Sequence, residues 1–268
     1  MVDNFKFKEK YDINDLLEVI RILRQPYGCP WDKEQTHKSI RKDFIEETYE
    51  VIEAINKENT EMLKEELGDV LMQVVFHAQI ETEQGRFNFD DVCDGICKKM
   101  IVRHPHVFAD ENAETSDDVL IKWDAIKKKT KNQKTQSSVI ESIPREFPAL
   151  MRAQKVQKKA ADVGFDWDDI SGAFDKVYEE TQEVKEALKS GDKEAVLDEV
   201  GDLFFSCVNV ARFAKVDSEE ALTHTTDKFI SRFKIVEALA GERGIDMEKA
   251  SIEVLDELWD EAKKQANQ

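Results

Sequence analysis

One acidic pattern occurs twice in this chain, and that duplication constrains its fold more than any other feature. Glu46-Glu47-Thr48-Tyr49-Glu50 is followed by Glu66-Leu67-Gly68-Asp69. Glu179-Glu180-Thr181-Gln182-Glu183 is followed, at the same spacing, by Glu199-Val200-Gly201-Asp202. The match extends outward. Gly28-Cys29-Pro30-Trp31-Asp32 corresponds to Gly164-Phe165-Asp166-Trp167-Asp168. Lys99 and Arg103 correspond to Lys228 and Arg232, and Trp123, Asp124 and Lys127 to Trp259, Asp260 and Lys263. Small drifts in offset are what loop insertions produce. A repeat of this length implies two homologous units, each a supersecondary assembly with its own core. The polar stretch at 131–138 has no apolar period and carries the boundary. The expected division is a first unit at 1–131, a linker at 132–137 and a second unit at 138–268.

Each copy reads as helix. Leu67, Val70, Leu71, Val74, Val75 and Ala78 recur at the spacing of one helix face, as do Val200, Leu203, Phe204, Cys207, Val208 and Ala211. Met72 and Phe76, or Phe205 and Val210, add apolar residues off that stripe, which predicts a central, largely buried helix. With only 10 Gly and 5 Pro in 268 residues, a turn-rich β-sandwich is disfavoured and long helices are expected. One strip of the central helix stays polar: Glu66, Asp69 and Gln73 in one copy, Glu199, Asp202 and Ser206 in the other. The preceding helix presents Glu47 and Glu50, or Glu180 and Glu183, on one face in the same way. Asn56-Lys57-Glu58-Asn59 and Lys189-Ser190-Gly191-Asp192 are plausible turns, so each helix pair should form an antiparallel hairpin.

Four carboxylates converging across a hairpin repel one another and lose hydration. A cation among them removes both penalties. Oxygen-only ligands favour Mg²⁺, with Mn²⁺ as a possible substitute. Iron bundles add Glu-x-x-His motifs on two helices. Here Glu34 and His37 form one such motif, which the second copy lacks. The candidate ligands are Glu180, Glu183, Glu199 and Asp202, with Glu47, Glu50, Glu66 and Asp69 as their counterparts. In a chain with 57 acidic residues a lone cluster is usually a solvated face. The coupling of both clusters to apolar helices, twice over, favours the metal. Cys93, Cys97, His104 and His106 match no common zinc spacing.

A net charge of −18 with no basic stripe argues against polynucleotide binding. A small phosphorylated ligand bound through a divalent cation remains compatible. Lys228 and Arg232 share a helix face and are suited to phosphate oxygens, as Trp259 and Lys263 are to a base or sugar face and a terminal phosphate. No apolar run spans a bilayer, and the first residues carry no apolar signal core, so a cytoplasmic location is expected.

Together the EExxE and ExxD pairs, GCPWDKEQT at 28–36, RHPHVF at 103–108 and GFDW at 164–167 resemble the MazG family of nucleoside triphosphate pyrophosphohydrolases. The resemblance covers nearly the whole chain. It implies an all-α tandem repeat with four-helix-bundle-type cores, a homodimer, and Mg²⁺-dependent cleavage between the α and β phosphates of nucleoside triphosphates. Carried over by motif, Glu180, Glu183, Glu199 and Asp202 are metal ligands and Glu179 an accessory acid. Lys228, Arg232, Trp259 and Lys263 then contact the nucleotide. The resemblance ranks the second unit first for activity. The first unit keeps every acidic ligand, so nothing in the sequence itself accounts for such an asymmetry. Two rivals remain: a nucleotide-sensing scaffold with a degenerate site, and a dUTP or dCTP pyrophosphatase of narrow specificity.

Overall fold

The computed structural model describes residues 5–109, 115, 119, 123, 126 and 135–266. Asp124, Lys127 and the linker positions 132–134 lie outside the described residues. The described residues are helical with no strand, in two compact units at 1–127 and 128–268. The first unit contains α1 (Ile13–Leu23), α2 (Pro30–Glu34), α3 (Arg41–Asn56), α4 (Thr60–Glu83), α5 (Phe89–Arg103) and α6 (Pro105–Phe108). The second contains α7 (Gln136–Glu141), α8 (Ala149–Ala161), α9 (Ile170–Ser190), α10 (Lys193–Phe213), α11 (Ser218–Glu242) and α12 (Ile252–Gln265).

The tightest association in each unit is the hairpin expected from the repeat, α3 on α4 and α9 on α10. Local chemistry sets both turns. Helix α9 stops at Gly191, whose φ of 74° is open to glycine without penalty. Asp192 then accepts the amides of Glu194 and Ala195 to start α10. In the first unit the left-handed position falls on Glu58, at φ 51°, and Asn59 caps α4 through the amide of Met62. The strain reverses at the next turn, where the first unit places Gly85 and the second Lys215 at positive φ. Each non-glycine residue there costs about 1–2 kcal/mol.

The first core gathers Ile20, Ile40, Val75, Phe76 and Ile80 between α1 and α4. Arg24 fastens it. Its guanidinium lies 5.0 Å from the Phe76 ring centre and donates to both carboxylate oxygens of Glu83, at 2.9 and 2.8 Å. The second core lies between α11 and α12, around Val236, Leu239, Ala240, Leu258 and Ala262. Helix α8 joins α10 through Gln157, which donates to the Phe205 carbonyl at 2.7 Å.

The central helices depart from the sequence expectation of burial on most sides. Among the described residues each of them carries a row of exposed apolar side chains. Phe204 on α10 is 60% exposed, and Leu197 beside it 71%. Phe174, Tyr178 and Leu188 on α9 extend this apolar stripe. In the first unit the stripe recurs at Ile45, Tyr49 and Ile52 on α3 and at Leu67 and Leu71 on α4. Periodicity reports which residues avoid water, and it does not distinguish a neighbour within the chain from one outside it.

A histidine pair belongs to the first unit alone. His37 and His77 stack with ring centres 5.0 Å apart and share an Nδ1–Nδ1 hydrogen bond of 2.7 Å. Nε2 of His37 meets Glu81 at 2.5 Å, and Glu81 also accepts from Arg86. Burial, then the neighbouring His37, lowers the pKa of His77 below its ordinary 6.5. The folded state therefore resists a proton that the unfolded chain accepts. The stability contribution is full above the ordinary value and is lost as pH falls through the lowered one. Calorimetric melting should show a Tm that falls as pH drops below the ordinary value of 6.5. His77→Phe should flatten that slope, and an unchanged slope would remove this pair as its origin.

Candidate active site

Helix α9 carries Glu180 and α10 carries Glu199 and Asp202. The hairpin brings one oxygen of each within 4.8 Å of the others. Glu180 is only 3% exposed. Its Oε1 meets Lys176 Nζ at 2.5 Å, while its Oε2 is buried without a hydrogen-bond partner. An ionised oxygen held out of water with no donor is expensive, so the cluster is chemically incomplete as protein alone. Glu183 lies beside the three. Its hydrogen bond with Glu180 raises its pKa above the ordinary carboxylate value, with desolvation and the charges of Glu180 and Glu199 adding to the effect. Glu179 pairs with Lys176 at 2.9 Å. The lysine is shared by both glutamates, whose hydrogen bonds raise its pKa. An all-oxygen set with one orphaned buried oxygen fits a hard divalent cation.

Glu47, Glu66 and Asp69 converge within the same 4.8 Å in the first unit. Desolvation first, then the charge of Asp69, raises the pKa of Glu47. Desolvation and the charge of Glu50 do the same for Glu66. Among the described residues these two clusters are the only groups of three or more His, Cys, Asp or Glu placed to share an ion. The four cysteines are free thiols.

The surroundings of the two clusters differ. A pocket of about 250 Å³ opens beside Glu180 and Asp202, walled by Trp167, Ala173, Phe205, Ser206 and Asn209. By the repeat, the first unit has Ile40 for Ala173, Gln73 for Ser206, Phe76 for Asn209 and Asp43 for Lys176. Ile40, Gln73 and Phe76 are buried, with Ile40 and Phe76 in the core of that unit. The space that is open in the second unit is therefore filled by larger side chains in the first. The lysine that balances the cluster is replaced there by another acid.

The expected basic and aromatic contacts form a separate group on α11 and α12. Phe229 stacks on Phe233 and lies 5.0 Å from Trp259, which packs on the α11–α12 core. Lys263 pairs with Asp260 at 2.6 Å. Lys228 is exposed, and Arg232 has a buried Nε without a partner. None of the four lines the pocket beside the carboxylates. In the first unit Arg103 is instead held over the Trp123 ring at 5.3 Å.

Sequence reasoning missed Lys176, Trp167 and Asn209. Asn209 continues the polar strip of Glu199, Asp202 and Ser206 by one more helical step, and Lys176 lies one turn before Glu180. Both signals were legible as spacing. That they face a cavity was not. No helix among the described residues is long and apolar enough to cross a membrane.

The model of the MazG nucleotide pyrophosphohydrolase domain matches residues 35–108 and 173–237, which contain the two hairpins. The chain is 47% identical over 256 residues to a nucleoside triphosphate pyrophosphohydrolase of Escherichia coli K12, covering 94% of this chain and 97% of that one. It is 46% identical to the nucleoside triphosphate pyrophosphohydrolase/pyrophosphatase MazG of Thermotoga maritima, over 93% and 94% of the two chains. It also matches the uncharacterized protein YabN of Bacillus subtilis at 49% identity, over 95% of this chain and 52% of that one. With matches over nearly its full length and over both carboxylate hairpins, this chain belongs to the MazG family.

Proposed function

We propose that the chain hydrolyses nucleoside triphosphates to nucleoside monophosphate and pyrophosphate, with the second unit as its principal active site. The reading rests above all on the juxtaposition of Glu180, Glu199 and Asp202, with its orphaned buried oxygen, and an open pocket. Glu180, Glu183, Glu199 and Asp202 would hold Mg²⁺, with Mn²⁺ as a substitute. When bound, the ion supplies charge neutralisation for the phosphate oxygens.

The chain's own residues divide the remaining work. Lys176 holds Glu180 in place and offsets part of the cluster's charge. A carboxylate of the cluster would orient or deprotonate the attacking water. Lys228 and Arg232 would screen the departing pyrophosphate, and the buried unpartnered Nε of Arg232 is a donor suited to a phosphate oxygen. Trp259 and Lys263 would meet the base or sugar face and a terminal phosphate. The first unit, with its equivalent space filled, would support assembly.

We further propose a homodimer in which a second copy covers the apolar stripes on α9–α10 and α3–α4, and a cytoplasmic site of action. The division at 132–137 stands as the proposed linker. The test is pyrophosphate release from a panel of NTPs and dNTPs, with Mg²⁺ and with EDTA. Release that EDTA abolishes is expected. Folded protein that releases nothing from any nucleotide would leave a sensing scaffold in its place.

A further inference from the structure

The α2–α3 connection of the first unit is tied to α4 by a titratable pair. Helix α3 starts at Arg41, and its N-cap, Ile40, supplies no side-chain hydrogen bond. The start of α3 therefore depends on what holds residues 35–40. Thr36 and Ser39 close a local turn, each accepting the other's amide through its hydroxyl. Arg24 on α1 donates to the Asp32 and Gln35 carbonyls at 2.6 and 3.2 Å. Among the described residues, the side-chain hydrogen bonds from this strap to α4 are those of His37, to His77 and Glu81. Three residues on, Ile40 is 2% exposed in the core with Phe76.

The surroundings fix where the protons of the pair lie. Glu81 accepts from Nε and Nη2 of Arg86 at 2.5 and 2.6 Å, and this pairing holds its carboxyl below the ordinary value. An ionised carboxylate only accepts, so Nε2 of His37, 2.5 Å away, carries a proton. In the neutral ring Nδ1 is then an acceptor, and His77 donates its own Nδ1–H across 2.7 Å. One added proton is compatible with this contact. A single hydrogen still lies between the two Nδ1 atoms, and the positive charge faces Glu81. A second added proton puts hydrogen on both, and two donors cannot remain 2.7 Å apart. No other charge compensates it among the described residues. Helix α3 presents the ring of Phe44 to His77, and Arg24 is engaged with Glu83. Burial, then the neighbouring His37, already makes His77 reluctant to charge. The His37 side chain is 39% exposed, so protons reach the pair from solvent.

We propose that His37 and His77 form a proton-operated latch on the strap at 35–40. The latch is closed while one hydrogen lies between the rings. It opens when there are two, releasing His37, the seat of Ile40 and the first turn of α3. The second unit has no such device. By the repeat, Ile170, Val210 and Ala214 stand at the positions of His37, His77 and Glu81. Acid thus loosens one unit of a duplicated fold at a defined place and leaves the other closed.

Hydrogen exchange read by mass spectrometry on the full chain tests the latch, with rates corrected for the intrinsic effect of pH. Protection of the amides at 35–46 should fall below the ordinary histidine value of 6.5. The expected slope is about tenfold per pH unit, that of one linked proton. Amides at 168–179 should keep their protection. His77→Gln should stay closed and lose the slope, because a carboxamide can donate to Nδ1 or accept from it. Nitrogen NMR of the wild-type rings adds a check that no substitution disturbs. Near neutral pH, His37 should carry its proton on Nε2 and His77 on Nδ1. The latch is overturned if protection at 35–46 does not change with pH, or if 168–179 loses protection in step. It is equally overturned if His77→Gln keeps the wild-type slope, or if the two rings show the same tautomer.

Discussion

Glu180→Gln is expected to lower kcat for pyrophosphate release by about three orders of magnitude, or about 4 kcal/mol at 1.36 kcal/mol per decade. The substitution keeps the shape of the side chain and removes its charge. It takes from the cluster the one carboxylate that is both buried and lacking a donor for its second oxygen. Glu183→Gln should be similarly damaging, because Glu183 sits at the edge of the same set, where the charges of Glu180 and Glu199 act on it. The helices should remain folded, since each change also relieves repulsion between acids. The informative control is Glu47→Gln. Glu47 occupies the same place in a cluster of the same dimensions, yet its loss should change kcat by less than about twofold, because residues equivalent to the pocket walls are core side chains there. Circular dichroism and steady-state kinetics on the three variants decide the matter. Full activity in Glu180→Gln or Glu183→Gln would move the active site out of the second unit. Parallel losses in Glu47→Gln would give both units a catalytic role.

Phe204→Glu should convert a dimer into a monomer. Phe204 is 60% exposed in the single chain and sits in an apolar stripe with Leu197, Phe174, Tyr178 and Leu188. Burying a phenylalanine of this kind contributes about 1.5–3 kcal/mol. In a two-fold interface each substitution acts twice. An unpaired carboxylate buried in the same place adds a desolvation cost larger than the contact it removes. Light scattering after size exclusion should therefore give twice the chain mass for the wild type and the chain mass for the variant. Phe204→Leu, which keeps the face apolar, should remain dimeric. A wild type that is monomeric at micromolar concentration would end the proposal, and the exposed stripe would need another partner.

The duplication has diverged at one end of a single helix face. The metal end of the strip, Glu199 and Asp202 against Glu66 and Asp69, is the same in both units. The distal end has changed from Ser206 and Asn209 to Gln73 and Phe76, and Phe76 has become the centre of a hydrophobic core against which Arg24 is held. The first unit thus has packing where the second has a cavity, and both have the acids. The intact acids explain why the two copies read as equals in the sequence. The asymmetry lies in residues that form no recognisable motif.

The sequence by itself determined the helical class, the two-unit layout, the hairpins and three converging acids in each unit, while Glu50 and Glu183 fall outside those groups of three. Each of these is a matter of period and spacing along one chain, and Gly191, Asp192 and Asn59 mark the turns by local chemistry alone. It also identified the stripe of Phe204 and Leu71 as apolar, but left open what covers it; both residues are exposed in the single chain. Only the tertiary structure decided which oxygen of Glu180 lacks a partner, that Trp259 packs on a core while Trp167 walls a cavity, and that Arg212 donates to both Asp166 and Asn209. Asp166 and Arg212 are far apart in sequence, and their contact depends on how a loop folds back over a helix. Whether a space beside conserved-looking acids is open or filled is a property of side-chain volumes meeting from different helices, and no spacing along a single chain encodes it.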